Sequence, residues 1–248
     1  MTDWQPVTAC PLCGVSAPTQ RDVRSGAQVG MMNTYGIEIP LSFAIRYCRC
    51  YSCDMIFQDP MLTDEARHTF YTGGMYKEMT VTKNNFKTEI IRADRLMKMI
   101  EHLEIESILD IGCGHGELLQ ACQGVGIEVQ GVDLNVDCVM NGIPVVESLQ
   151  DVGGTYDMVS MVHYLEHITS PVAELVAAQQ WSNRYVLVDV PLQSKEAYWL
   201  NLPHTLIFKP HTLVSAMERA GLNMVGMGMT ERDVTAIGER KGERDGIR

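Results

Sequence analysis

The chain has 248 residues, of which 46% are hydrophobic and 21% are charged, and its formal net charge is −11 at pH 7. This length can accommodate one sizeable α/β domain with a small appendage, and the acidic charge argues against a nucleic-acid partner. No apolar stretch reaches the roughly 18 residues of a membrane span, and residues 1–6 lack the basic and apolar regions of a signal peptide.

Eight cysteines in a chain without an export signal indicate a reducing compartment, so we expect a cytoplasmic protein whose cysteine clusters bind metal. Cys10 and Cys13 form one C-x-x-C pair, and Cys50 and Cys53 form a second. Four thiolates in two such pairs predict a closed, tetrahedral Zn²⁺ site. Cys48 is the alternative to Cys50, but it forms no C-x-x-C pair with Cys53. Five free cysteines in a reduced domain remain the other interpretation.

Two helices are predicted after this module. Thr63 and Asp64 form a helix start with acidic residues in the first turn, and Gly73-Gly74 ends it, so residues 63–83 are expected to be a linker with a short helix. Residues 84–102 carry apolar side chains at helical spacing, which predicts a long helix packed on the first strand of the next domain.

The run SILDIGCGHGELL at 107–119 combines a short apolar segment, three glycines at alternate positions and a helical pattern. It predicts a buried parallel strand, a tight turn and a helix whose N-terminus faces a ligand, because glycine lets backbone N–H groups approach closely. A dinucleotide fingerprint would need glycine at position 117, which is glutamate, and no P-loop lysine follows. One strand later, Asp133 in GVDLN can accept hydrogen bonds from two ribose hydroxyls.

LDIGCGHGELL followed by GVDLN resembles motif I and the acidic loop of class I S-adenosylmethionine-dependent methyltransferases. The resemblance implies a doubly wound, Rossmann-like α/β sheet over residues 84–242, with 243–248 as a tail. It also implies S-adenosylmethionine as the cofactor. The residues expected to hold it are Asp110, Gly112, Gly114, Gly116, Asp133, Leu134, Ser148, Leu149, His163 and Tyr76.

The rest of the chain alternates between strand and helix patterns, as expected for such a sheet. Strands are predicted at 106–111, 127–132, 143–147, 156–162 and 184–190, helices at 116–124, 135–141, 170–181 and 210–221, and a closing antiparallel hairpin at 223–229 and 234–239.

Four of the seven histidines follow the predicted fourth strand. YDMVSMVHYLEHI resembles the motif IV region of small-molecule methyltransferases, which implies that His163 faces the methionine moiety or the substrate, while Glu166 and His167 cap the next turn. His204 lies in a segment that resembles another stretch of those families. An imidazole with a near-neutral pKa can take a proton from a methyl acceptor, so His204 is the first candidate for the catalytic base and His163 the second. A backbone hydrogen bond is the alternative role for His204.

CPLCG and IRYCRCYSCDMIFQDP are similar to the zinc-binding modules that precede the methyltransferase domain of sugar C-methyltransferases. The resemblance makes residues 1–62 a zinc-binding module and implies methyl transfer to a small molecule, with a sugar, nucleotide-sugar or glycan as acceptor. Zinc knuckles also precede some ribosomal RNA methyltransferases, so an RNA methyltransferase is one alternative. A non-catalytic protein that keeps the cofactor is another.

Overall fold

The computed structural model describes residues 3–16, 19–22, 47–73, 86–140, 142–192 and 204–241. The strands in these ranges are β1 (Trp4–Gln5), β2 (Thr19–Asp22), β3 (Tyr47–Cys50), β4 (Ile56–Gln58), β5 (Met61–Leu62), β6 (Ser107–Ile111), β7 (Glu128–Val132), β8 (Val145–Val146), β9 (Tyr156–Val162), β10 (Ser182–Pro191), β11 (Leu206–Ile207), β12 (Leu222–Met229) and β13 (Asp233–Arg240). The helices are α1 (Asp64–Thr72), α2 (Phe86–Ile100), α3 (Glu117–Gly124), α4 (Pro171–Ala178) and α5 (Pro210–Arg219).

The larger sheet has seven strands in the order β12-β13-β10-β9-β6-β7-β8. Strands β10, β9, β6, β7 and β8 pair in parallel, whereas β13 runs antiparallel to both β10 and β12. This arrangement confirms the doubly wound sheet and its closing antiparallel hairpin. Chain order reverses between β6 and its neighbours β7 and β9, and the carboxyl ends of strands at such a switch point form the ligand-binding crevice of open α/β sheets.

The long helix predicted before the first parallel strand is confirmed as α2. Its apolar stripe is buried through Leu96 and Ile100, which pack in one cluster with Ile108 of β6 and Leu187 of β10. Burying four such side chains contributes roughly 1.5–3 kcal/mol each before the entropy cost of ordering is counted. The helix therefore fixes the position of β6, whose end carries the glycine turn.

The smaller sheet contains the strands next to the cysteines and has the order β11-β4-β3-β2. Its edge strand β11 pairs antiparallel with β4, with Leu206 opposite Phe57 and Ile207 opposite Ile56. The sheet built mainly from the N-terminal residues is thus completed by two residues from the far part of the chain.

The region after β7 is less regular than its pattern predicts. The helix expected at 135–141 is a 3-10 turn at Val136–Cys138, and the strand expected at 143–147 is limited to Val145–Val146. β-Branched Val136 and the nearby Gly142 and Pro144 disfavour a longer helix in this short connection. Among the described residues, no helix has the length and apolar character that a membrane crossing requires.

Candidate functional site

The turn after β6 has backbone conformations that favour glycine. Gly112, Gly114 and Gly116 have φ values of 73°, 55° and 88°, in the left-handed region that side chains disfavour. The Gly112 N–H donates to the Val132 carbonyl over 2.8 Å, which joins the turn to the end of β7. A Cβ built on Gly112 would lie 2.5 Å from the ring of Tyr164, so its missing side chain also permits close packing.

A cavity of about 570 Å³ opens at the carboxyl ends of β6 and β7. Its lining residues come from the helix α1, the carboxyl ends of β6, β7 and β8, the segment after β9 and the residue before β10: Asp64, Arg67, His68, Tyr71, Ile111, Gly112, Val132, Asp133, Leu134, Asn135, Glu147, Ser148, Leu149, Gln150, Tyr164, His167, Ile168 and Trp181. Five residues predicted to hold the cofactor therefore meet at one cavity: Gly112, Asp133, Leu134, Ser148 and Leu149. Tyr76 lies outside the described residues.

Asp133 stands at the tip of β7 with its carboxylate held by two backbone donors. The Gly114 N–H donates to Oδ2 over 2.9 Å, and the Asn135 N–H donates to Oδ1 over 2.8 Å. Burial raises the pKa of Asp133, and the two hydrogen bonds act in the opposite direction. Each carboxylate oxygen has more than one lone pair, so Asp133 can still accept hydroxyl hydrogen bonds from a ligand in the cavity.

Asp110, Gly114, Gly116 and His163 are not among the described residues that line this cavity, although the Gly114 N–H contacts Asp133, which does line it. Asp110 is 2% exposed and accepts a hydrogen bond of 2.7 Å from the Ser160 hydroxyl. Burial raises the pKa of Asp110 to about 7, while the Ser160 hydroxyl lowers it. Gly116 begins α3, and a Cβ on it would face Val139 at 3.4 Å. Both residues support the turn from behind.

His163 follows β9 in a strained conformation, with φ of 52°. Its Nε2 atom lies 3.1 Å from Asp233 Oδ1, and Asp233 belongs to a buried network in which Arg95 Nη2 donates to Asp189 Oδ1 over 2.9 Å. Burial lowers the pKa of His163, but the hydrogen bond to Asp233 and the charge of Glu166 outweigh it and raise that pKa. Burial raises the pKa of Glu166 to about 7, although the nearby charge of His163 lowers it.

Helix α1 contributes four residues to the cavity lining, Asp64, Arg67, His68 and Tyr71, and two of these contact His167 after β9. The Tyr71 hydroxyl lies 2.8 Å from His167 Nδ1, and the Tyr71 carbonyl accepts a hydrogen bond of 3.0 Å from Asn135 Nδ2. Arg67 Nη1 donates to the His167 carbonyl over 2.5 Å. The sequence offers only one signal for this contact, an aromatic residue on a helix beside the glycine turn.

His204 lies beside His167, with the two ring centroids 4.8 Å apart and the planes at 64°. Its carbonyl accepts a hydrogen bond of 3.0 Å from the Tyr47 hydroxyl. The carbonyl of the next residue, Thr205, accepts a hydrogen bond of 2.9 Å from the Gln58 N–H. The smaller sheet therefore holds the backbone that carries His204 next to the cavity wall.

Four cysteines converge at one end of the smaller sheet. Cys10 Sγ is 3.5 Å from Cys53 Sγ, Cys13 Sγ is 3.6 Å from Cys50 Sγ, and the four sulfurs lie within 4.8 Å of one another. Disulfide sulfurs would be about 2.05 Å apart. Thiolates at about 2.3 Å from one tetrahedral zinc ion stand roughly 3.8 Å from each other, so this quartet fits Zn²⁺. Cys48 is 1% exposed, and its sulfur lies 3.9 Å from Asp59 Oδ2.

Two matching loops carry these cysteines. The Gly14 N–H donates to the Cys10 carbonyl and the Asp54 N–H to the Cys50 carbonyl, each over 2.9 Å, and Gly14 and Asp54 have φ of 72° and 67°. Asp54 thus adopts a conformation that favours glycine. Its carboxylate accepts a hydrogen bond of 2.6 Å from Lys209 Nζ, which ties the loop to the start of α5.

The strand order, the glycine turn at the switch point and the acidic residue after the next strand are typical of doubly wound α/β folds that bind a nucleoside at this edge of the sheet. Residues 74–226, more than half of the chain, match the family described as a methyltransferase domain. The chain belongs to the S-adenosylmethionine-dependent class I methyltransferases.

Two relatives and one solved structure illustrate the likeness. The ubiquinone biosynthesis O-methyltransferase of Burkholderia multivorans is 34% identical over 94 residues, which are 31% of this chain and 39% of that protein. The protein of the same name from Bordetella avium is 27% identical over 180 residues, covering 59% of this chain and 75% of that protein. The match to the first of these thus spans about two-fifths of its length. Magnesium protoporphyrin IX methyltransferase from Synechocystis, solved with bound S-adenosylmethionine, shares the fold with a TM-score of 0.50 at 17% identity, covering 70% of this chain and 95% of that one.

Proposed function

We propose that the protein transfers a methyl group from S-adenosylmethionine to an oxygen atom of a small molecule. The observation that carries the proposal is the cavity at the switch point, in which Gly112 and Asp133 line one side and His167, next to His204, lines the other. A cofactor and an acceptor can meet in this one space.

The residues present fit the cofactor. Gly112 offers backbone without a side chain, and the Asp133 carboxylate faces the same cavity as acceptor for the ribose hydroxyls. Ser148 and Leu149 follow β8 and are proposed to contact the adenine. When bound, S-adenosylmethionine supplies an electrophilic methyl group on a sulfonium ion. The chain's own task is to orient the acceptor in line with that group and to exclude water.

The acceptor oxygen must lose its proton during the reaction, and the histidines beside the cavity are proposed to control that proton. His204 lies in van der Waals range of His167, whose ring lines the cavity. Neither His163 nor His204 is among the described lining residues, but His204 contacts His167, whereas His163 is held by Asp233. The contact with His167 supports His204, the first candidate from the sequence, over His163.

The named relatives favour an acceptor other than a sugar. These relatives are named ubiquinone biosynthesis O-methyltransferases. They do not support the sugar acceptor that the sequence led us to expect. We therefore propose a hydroxyl of an aromatic or similarly apolar small molecule. Apolar Leu149, Ile168 and Trp181 in the cavity lining are consistent with this choice.

The acceptor class can be tested directly by incubating the protein with S-adenosylmethionine and matched sets of phenols, sugar nucleotides and a ribosomal RNA fragment. Methylated product is followed by mass spectrometry. We expect phenolic products only. Methylated sugar nucleotides would restore the sugar hypothesis, and methylated RNA would contradict a small-molecule acceptor.

Asp133→Ala should weaken the binding of S-adenosylmethionine. Loss of charge-assisted hydrogen bonds to the ribose should cost about 1.5–3 kcal/mol, or roughly 10- to 150-fold in Kd. Isothermal calorimetry measures the change, with Asp137→Ala as the control because Asp137 is exposed in the neighbouring 3-10 turn. Unchanged affinity in Asp133→Ala would contradict the ribose assignment.

Gly112→Ala should be more harmful than Gly114→Ala, although both residues have positive φ. The new methyl group at position 112 would meet the Tyr164 ring at 2.5 Å, whereas no atom lies within 4 Å of the site at position 114. Tyr164 cannot move freely because its hydroxyl donates to Glu174 Oε1 over 2.9 Å. We expect a Tm lower by several degrees and weaker cofactor binding in Gly112→Ala, measured by thermal unfolding and calorimetry. Equal effects of the two changes would show that backbone strain alone matters.

We also propose that Cys10, Cys13, Cys50 and Cys53 bind one structural Zn²⁺ ion, supported by the separations of the sulfur atoms. Burial raises the pKa of the Cys10 and Cys53 thiols, whereas at Cys13 the hydrogen bonds from the Val15 N–H and the neighbouring thiols outweigh burial and lower the pKa to about 7. All four positions are taken by thiolates, so this ion holds the loops together and has no open position for substrate.

A further inference from the structure

Glu166 is a buried carboxyl group whose needs the fold does not meet. It lies on the 3-10 turn Leu165–His167 after β9, is 2% exposed, and neither of its carboxylate oxygens has a hydrogen-bond partner within the described structure. Its charged contacts are two imidazoles beyond hydrogen-bond distance, His163 Nδ1 at 3.8 Å and His167 Nε2 at 3.5 Å from Oε1. A buried carboxylate without hydrogen bonds is costly, and such groups are kept when they pair with a charge or coordinate a metal.

The groups nearest to this carboxylate are imidazoles. Glu166 Oε1 lies 3.5 Å from His167 Nε2, and one ligand atom each from Glu166, His167 and His204 lie within 4.8 Å of one another. Ligands at about 2.1 Å from one ion stand roughly 3 to 4 Å apart, so the three atoms can share a cation after small adjustments. Two imidazoles and one carboxylate suit divalent transition metals and leave coordination positions open.

The surroundings of His167 orient it for this role. The Tyr71 hydroxyl lies 2.8 Å from Nδ1, which leaves Nε2 as the nitrogen that faces Glu166. Metal-binding histidines are commonly oriented by such a bond at the other ring nitrogen. His204 is fixed by its backbone, through the hydrogen bond from Tyr47.

A second group of three, His163, Asp189 and Asp233, also lies within 4.8 Å and provides a comparison. There the carboxylates already have cationic partners: Arg95 Nη2 is 2.9 Å from Asp189 Oδ1, and Arg92 Nε is 3.5 Å from Asp189 Oδ2. Guanidinium groups at these distances neutralise the acids and repel a metal cation. The first group is therefore the better metal site.

We propose that Glu166, His167 and His204 bind a divalent transition-metal ion, such as Mn²⁺ or Fe²⁺, at the wall of the cofactor cavity. This site is separate from the four cysteines, and binding of the ion does not depend on the methyl-transfer reaction. Its role does rest on the proposed function: a cation there would bind the acceptor oxygen and lower the pKa of the hydroxyl, so that the proton passes to solvent water and His204 acts as a ligand rather than as the general base.

Mn²⁺ titration followed by electron paramagnetic resonance tests the site on the full, zinc-containing chain at pH 8. The signal of free Mn²⁺ falls as the ion binds, and Mn²⁺ does not compete for a soft thiolate site. We expect about one bound Mn²⁺ per chain, with the zinc content unchanged. Glu166→Gln should weaken binding by more than about 100-fold, because even changes to groups that merely hold a ligand cost about 10- to 100-fold.

Glu147→Gln is the matched control, since it removes another carboxylate from the same cavity and should leave Mn²⁺ binding intact. Circular dichroism checks each fold, and His204→Gln replaces Glu166→Gln if the latter does not fold. A wild-type chain that leaves free Mn²⁺ unchanged overturns the proposal, as does equal binding by the ligand variants. Loss of binding in Asp233→Asn alone overturns it as well, by moving the ion to the second group. Calorimetry with S-adenosylmethionine in the absence of Mn²⁺ tests the proposed function separately.

Discussion

His204→Ala should lower kcat by about 10²- to 10⁴-fold and leave the affinity for S-adenosylmethionine nearly unchanged. A group that handles a proton only in the transition state affects turnover far more than ground-state binding. Its ring stands behind His167 rather than beside Asp133, so the cofactor contacts should survive. Steady-state kinetics on the accepted substrate and calorimetry measure the two effects. His102→Ala, an exposed histidine after α2, is the control.

The pH dependence of this variant adds a second measurement. If His204 is the general base, the low-pH limb of the wild-type rate profile should disappear in His204→Ala, because the group that must be deprotonated is gone. If His204 is a metal ligand, the same variant should lose Mn²⁺ binding instead. Wild-type kcat in His204→Ala would exclude both roles, and His163 would become the first candidate.

Cys50→Ser should abolish zinc binding and unfold the N-terminal loops, whereas Cys48→Ser should retain the metal. Structural zinc sites contribute on the order of 10–16 kcal/mol at neutral pH, so loss of one thiolate removes most of the free energy that holds the loops. The Cys50 sulfur lies 3.6 Å from the Cys13 sulfur, and the Cys48 sulfur points towards Asp59. Zinc per chain, measured by mass spectrometry, should fall from about one to near zero only in Cys50→Ser.

The reverse outcome, with zinc lost in Cys48→Ser and kept in Cys50→Ser, would show that the alternative cysteine is the ligand. Absence of zinc from the wild-type chain would contradict a metal site in this module altogether. Loss of the cysteine loops should also lower turnover, because Tyr47 and Gln58 hold the backbone at His204 and Thr205.

Local patterns were sufficient to predict most of the larger sheet. The apolar run before Gly112 and the strand and helix patterns after it are signals carried by residues close in sequence, and β9 occupies the predicted residues 156–162. The cysteine quartet was predictable because each C-x-x-C pair is also a short local pattern. The 3-10 turn at Val136–Cys138 departs from prediction because an apolar pattern does not reveal how little chain is available between two strands.

The features that could not be predicted depend on contacts between distant residues. The pairing of Phe57 with Leu206 joins strands of two or three residues, too short to have a pattern of their own. Tyr71 reaches His167 only because α1 docks over the switch point, a matter of tertiary packing. Glu166 reads in sequence as an ordinary capping acid, and only its burial without hydrogen-bond partners distinguishes it.

The pairing of β4 with β11 has a consequence for dissecting the chain. A truncated protein that begins after residue 62 would keep the larger sheet but would leave Leu206, Ile207 and Phe208 without their covering strand, although each is at most 4% exposed in the intact fold. An uncovered apolar edge strand is a template for self-association. Such a fragment should therefore aggregate rather than behave as an independent enzyme. In the intact chain, pairing of β4 with β11 prevents this self-association.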